Sequence, residues 1–195
     1  MQSKITNAVE IHYAELHCLS NFSFLRGASH AHELVARAAQ LGYRALAITD
    51  ECSLAGIVRA HVAAEEHKLK LIIGSEFYLT EQLRLVMLAP TKAAYADLST
   101  LITLARRRSD KGEYRLCLKD LEIGMQQNLV IWLPGYEDAH NSSHGDNLKT
   151  MFNNRLWIGF NNLLNNNAQQ DYRYFQQLSA QLDIPMLACG NVHMH

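Results

Sequence analysis

The stretch His32–Asp50, HELVARAAQLGYRALAITD, holds a helix, its stop and a strand in one run. Leu34, Val35, Ala38 and Leu41 recur at helical spacing, so residues 31–41 read as an amphipathic helix with Ser29 as its N-cap. Gly42 follows where a helix end favours left-handed backbone. Ala45–Thr49 is then a short, nearly continuous apolar strand, and Asp50 stands where it stops. The plan recurs: residues 56–69 precede Lys70–Ile73 and then Glu76, and residues 171–182 precede 185–189 and then Asn191 and His193. An earlier strand, Tyr13–His17, ends on a histidine. Alternating helices and short apolar strands predict a parallel sheet covered by helices. In α/β barrels the catalytic groups collect at the carboxyl ends of the strands, so His17, Asp50, Glu76, Asn191 and His193 mark the face where a site belongs.

Further outward, residues 84–89, Leu129–Leu133 and Leu156–Phe160 add strands, and residues 93–107 add a helix, bringing the strand count to about seven. The last strand has no helix after it, as in a piece of a longer chain. Residues 135–147 and the Asn/Gln-rich 161–170 read as exposed surface loops. With 195 residues and 48% hydrophobic content, a single domain over 1–195 is expected. A formal charge of −1 gives no global attraction for a polyanion. Cys18, Cys52, Cys117 and Cys189 are widely spaced, no Cys-x-x-Cys pair or leader occurs, and a reduced, cytoplasmic protein fits. No apolar run is long enough for a bilayer, so no membrane partner is expected. Gly-x-Gly-x-x-Gly, Walker-type and Gly-x-Ser-x-Gly patterns are absent, which argues against phosphate cradles and a nucleophile elbow.

Four ordered motifs carry a resemblance across nearly the whole chain: residues 15–28 (ELHCLSNFSFLRGA), Ala47-Ile48-Thr49-Asp50-Glu51, Ile72-Ile73-Gly74-Ser75-Glu76 and Asn191-Val192-His193. Together they resemble the polymerase and histidinol phosphatase (PHP) domain at the N-terminus of bacterial C-family polymerases. The wording of the first two is most similar to the error-prone, SOS-associated relatives of the polymerase III alpha subunit. The resemblance implies a distorted (β/α)7 TIM-like barrel lacking the final helix, and an N-terminal module of a DNA polymerase acting in damage-tolerant synthesis. It implies as partners the remainder of the polymerase chain, DNA through the parent enzyme, and SOS mutagenesis accessory proteins. The polymerising residues lie outside these 195, so the isolated module is expected to be catalytically inactive.

Complete members of that family hold divalent metals on histidines and carboxylates to activate water for phosphoester hydrolysis, chemistry that needs several anionic or imidazole ligands per ion. By resemblance, His17, Asp50, Glu76 and His193 are retained here, with Glu51 as a substitute oxygen ligand. Three ligand positions are degenerate: Leu19 and Arg84 stand where the family has histidine, and Asn191 where it has aspartate. A guanidinium at Arg84 would replace positive charge that metal supplies, pairing with Asp50 or Glu76. Cys18 follows His17 on a strand and should point the other way. Two readings follow. In one, the retained residues form a relic ion-pair network in a structural or partner-binding module, with manganese, zinc or iron weakly held or absent. In the other, a reduced ligand set still runs a metal-dependent phosphoesterase, as a proofreading exonuclease or pyrophosphatase.

Arg106-Arg107-Arg108, with Lys111 and Arg115, is the one basic cluster in the sequence. It could touch phosphates, but the expected state is a solvated helix C-terminus favoured by the helix dipole.

Overall fold

The computed structural model describes residues 13–122, 124–161 and 166–195. Seven strands run in chain order through one sheet: β1 (Ala14–Glu15), β2 (Ala45–Ile48), β3 (Lys70–Tyr78), β4 (Arg84–Leu88), β5 (Leu129–Trp132), β6 (Leu156–Phe160) and β7 (Met186–Ala188). Five α-helices accompany them: α1 (Ala31–Gln40), α2 (Ile57–His67), α3 (Lys92–Arg107), α4 (Asn141–Phe152) and α5 (Ala168–Leu182). Within the predicted loop 161–170, residues 162–165 lie outside the described residues, and α5 begins at Ala168.

The two faces of each strand separate the core into layers, because side chains alternate along a strand. Leu46 and Ile48 face Leu34, Val35 and Ala38 of α1 and Ile57, Ala60 and Ala64 of α2. Phe77, Leu85, Met87, Val130, Trp132 and Ile158 form the larger outer layer against α3, α4 and α5. Ala47, Val86, Leu88 and Ile131 point inward and meet Leu16, Ile72 and Leu187 inside the barrel. Cys18 is fully buried in the layer beneath α1 and α2, on the side its position after His17 predicts.

The expected parallel sheet needs correction at β3–β5. β3 is nine residues long; its first half pairs in parallel with β2, and its second half pairs antiparallel with β4, from Gly74 opposite Leu88 to Tyr78 opposite Arg84. β4 is antiparallel to β5 as well, while β5, β6 and β7 are mutually parallel. The reason is connection length: Leu79–Leu83 is long enough for a hairpin and far too short for a parallel crossover.

Two local expectations also change. Residues 135–147 are not simply a surface loop, since α4 starts at Asn141. Asn141, Gly145, Leu148 and Phe152 form its buried stripe, with a Cβ at Gly145 colliding with Leu182 of α5. Two of those four positions are polar or lack a side chain, which hid the helical period. The N-cap of α1 is His30 rather than Ser29, completed by Glu33, whose carboxylate accepts the His30 N–H at 2.7 Å. Gly42 does take left-handed backbone, at φ +73°.

The edges of the sheet meet just beyond β1 and β7. Leu19 N–H donates to Val192 O (2.8 Å), Val192 N–H donates to His17 O (3.0 Å), and Cys18 and Val192 form a parallel bridge. The buried Glu15 carboxylate adds a clamp, accepting the N–H groups of His17 (2.9 Å) and Gly190 (2.8 Å). This seam brings His17 beside Asn191 and His193, residues remote in sequence.

Candidate functional site

Glu76 is the centre of the mouth at the carboxyl ends of β1–β3. The parallel strand β2 delivers Asp50 and Glu51 alongside it, with Glu51 bridged to Glu76. Arg84 arrives from the antiparallel neighbour: it pairs with Tyr78, two residues from Glu76 on the same face, so it reaches the carboxylate diagonally.

The Glu76 carboxylate, 1% exposed, lies 2.7 Å from His17 Nε2 and receives Arg84 Nε at 2.7 Å. Arg26 Nη2 donates to both of its oxygens, at 3.0 and 3.2 Å. Burial by itself would raise the Glu76 pKa, but hydrogen bonds and charge from His17 and Arg84 outweigh it and pull the carboxyl down to about 2. The other guanidinium edge of Arg26 binds Glu51, whose second oxygen accepts the Tyr114 hydroxyl at 2.9 Å.

Asp50 is as buried as Glu76 but held differently. Its carboxylate accepts Ser20 N–H (2.8 Å), Ser20 Oγ–H (2.7 Å) and Ser23 Oγ–H (2.7 Å), pinning the loop of residues 20–28. A Cβ at Gly56 would lie 2.8 Å from Asp50 Oδ2, so the start of α2 must be glycine for this close approach. On the opposite rim, Asn191 Oδ1 accepts Arg84 Nη2 at 3.1 Å and lies 3.0 Å from His193 Nε2. His193 Nδ1 lies 3.2 Å from Arg26 O, so both ring nitrogens face oxygen acceptors. Leu19 is fully buried. His17 Nδ1 is buried without a hydrogen-bond partner.

The predicted residues therefore converge on one mouth, but as a salt-bridge and hydrogen-bond network. Arg84 pairs with Glu76 and Asn191, not with Asp50. Among the described residues no three histidine, cysteine, aspartate or glutamate side chains share a position suited to a metal ion. The donor chemistry gives the reason: N–H and O–H groups fill the oxygens of both buried carboxylates, and two guanidinium groups stand beside Glu76. A divalent-metal cluster does not fit this arrangement.

Arg26, Ser20, Ser23 and Tyr114 escaped the sequence reading. Arg26 lies inside a recognised motif, but nothing local says that it folds back onto Glu51 and Glu76. Arg106 was expected to be solvated; instead it donates to the carbonyls of Glu51 and Cys52, each at 3.3 Å, and its guanidinium lies 5.3 Å from the Tyr114 ring centroid. Arg108 pairs with Asp120 at 2.8 Å. The basic cluster thus spends two of its arginines on the fold.

Beside the network a cavity of about 160 Å³ is lined by His17, Arg84, Leu133, Gly159, Cys189 and Asn191. A larger one, about 760 Å³, opens at the other end of the barrel near Ala45 and Lys70, away from these side chains.

Comparison with known proteins agrees with this architecture. The family model described as PHP domain matches residues 15–179. An error-prone DNA polymerase of Pseudomonas aeruginosa is 53% identical over 189 residues, and one of Methylococcus capsulatus is 51% identical over 189 residues. The matches take in 94% and 96% of this chain but 18% of each relative, so the chain spans under a fifth of their length. Among solved structures, a protein of Bifidobacterium adolescentis described as a metal-dependent phosphoesterase superposes with TM-score 0.61 at 15% identity, covering 93% of this chain and 88% of that one. An amidohydrolase of Chromobacterium violaceum, with bound sulfate and no metal, gives 0.63 at 14%, covering 93% and 87%. At those identities the likeness is one of fold. No helix among the described residues is long and apolar enough to cross a membrane.

Proposed function

Because this chain belongs to the PHP domain family, we propose that it is the N-terminal module of an error-prone C-family DNA polymerase, its barrel mouth cross-linked by arginine in place of metal. The observation that carries the reading is the state of Glu76, whose carboxylate is shared by His17, Arg26 and Arg84. A group so engaged has no role left in activating water, but it ties together β1, β3, β4 and the 20–28 loop. The module's work is then structural: it presents a stiff barrel to the rest of the polymerase. The names of the relatives, and the small share of them that this chain spans, support that reading. The parent enzyme acts on DNA in the cytoplasm during damage tolerance and repair synthesis, with SOS mutagenesis accessory proteins as partners.

Metal analysis of the purified protein after incubation with manganese, zinc and iron tests this. The expected result is less than one ion per chain and no hydrolysis of a phosphodiester or of pyrophosphate. Stoichiometric metal, with phosphoester cleavage abolished by Asp50→Asn, would replace this reading with the phosphoesterase on His17, Asp50, Glu51, Glu76 and His193.

A further inference from the structure

The loop that delivers Arg26 to the mouth also displays the two most exposed large apolar side chains among the described residues, Phe24 at 84% and Leu25 at 90%. The loop is not loose. Asn21 N–H donates to Ser29 O, Gly27 N–H to Ser23 O and Ala28 N–H to His193 O, within 2.9 Å in each case, and Ser20, Ser23 and Arg26 anchor it from below. Leu25 takes left-handed backbone, φ +61°, which disfavours a side chain and clusters where function requires it. Phe22 continues the surface, beneath Arg59 at the start of α2, and Val58 and Val62 follow on that helix at 73% and 63% exposure. They stand one turn apart on its outward face.

We propose that Phe24 and Leu25, flanked by Val58 and Val62, form the docking face for an apolar surface of the same polypeptide downstream of His195 in the longer polymerases. This rests on the reading of the chain as an N-terminal module. Two observations select that occupant. The relatives carry most of their length outside the matched part. The last described residues run beside the C-terminal edge of this loop, with His195 N–H donating to Ser29 Oγ at 3.0 Å and Ala28 held on His193 O, so a continuing chain leaves the barrel from the loop that carries Phe24 and Leu25. A tethered surface meets the loop at high effective concentration, and a loop already rigid loses little entropy on contact.

Hydroxyl-radical footprinting of the full polymerase chain tests the proposal, with rates normalised to the same chain unfolded in urea. Modification of Phe24 and Leu25 is expected to fall to the level of the fully buried Phe77. Modification near the unfolded rate would overturn the proposal, and so would protection lost on dilution, which would assign the face to a second copy or a separate protein. Because both side chains are exposed, Phe24→Ser with Leu25→Gly leaves the barrel folded; it should unmask Val58 and Val62 in the full chain, and unchanged protection there would also overturn it. Metal content and phosphoester hydrolysis of the same preparation report on the module's role separately. A metal-loaded, hydrolytic protein with Phe24 protected would remove the structural reading and keep the docking face.

Discussion

Asp50 follows β2 and Glu76 lies within the adjacent β3, and the two are equally buried, yet one is held by neutral donors and the other chiefly by guanidinium groups. Around Asp50, two serines and a backbone amide fix a loop. Around Glu76, two arginines and a histidine converge from β4, the 20–28 loop and the end of β1. A carboxylate surrounded by neutral donors can be replaced at the cost of its hydrogen bonds. One surrounded by cations leaves them stranded when it is removed. The same mouth therefore contains a latch and a keystone.

The sharpest way to break that contrast is Glu76→Ala. Stripping the counter-charge from partly buried Arg26 and Arg84 should cost about 3–5 kcal/mol in urea unfolding. Adding Arg84→Met should recover part of the loss in a double-mutant cycle, and strict additivity would show that the two side chains are not coupled. A related effect appears with pH. Glu76 has a folded pKa of about 2 against an ordinary 4.5, so its contribution is fully present above about pH 4.5 and is lost as pH falls toward 2. That contribution is ~3 kcal/mol by linkage. Stability measured from pH 6 down to about 2 should show this acid limb, and Glu76→Gln should flatten it.

Asp50→Ala is the complementary test and should cost less, about 2 kcal/mol for charged hydrogen bonds lost. Its signature is local, because amide exchange should rise across residues 20–28 while the amides of β4 and β5 stay protected. A global loss equal to that of Glu76→Ala would erase the distinction between the two carboxylates. Arg106→Ala, which uncaps the Glu51 and Cys52 carbonyls, should cost about 1 kcal/mol because the side chain is only partly buried. Smallest of all is the response to chelator: EDTA should leave the melting temperature unchanged, since a metal bound to the folded state would otherwise stabilise it by mass action.

How far the site could be read from sequence differed by residue. His17, Asp50, Glu76 and His193 were legible because each follows a short apolar strand, and strand ends in this architecture meet on one face. The loss of ligand chemistry at Leu19, Arg84 and Asn191 was legible from residue type. Arg84 pairing with Glu76 was one of two alternatives, and the diagonal across the β3–β4 hairpin decided it. Arg26 was not legible, since a loop arginine has no periodicity and its partners are 25 and 50 residues away. Arg106 was misjudged for the same reason: a basic helix end looks alike whether it faces water or caps another segment's carbonyls.

The sequence by itself determined the seven strands and four of the five helices found among the described residues, and the face on which the polar residues gather. Those features follow from local hydrophobic period and from the alternation of element types, both carried by neighbouring residues. Only the tertiary structure decided that β4 runs backwards, that residues 141–152 form a helix packed through Gly145 against Leu182, and that Arg26 and Arg84 share Glu76. Each of these is a choice of distant partner. Burial sets that choice, because a carboxylate taken from water must find its donors wherever the folded chain has brought them.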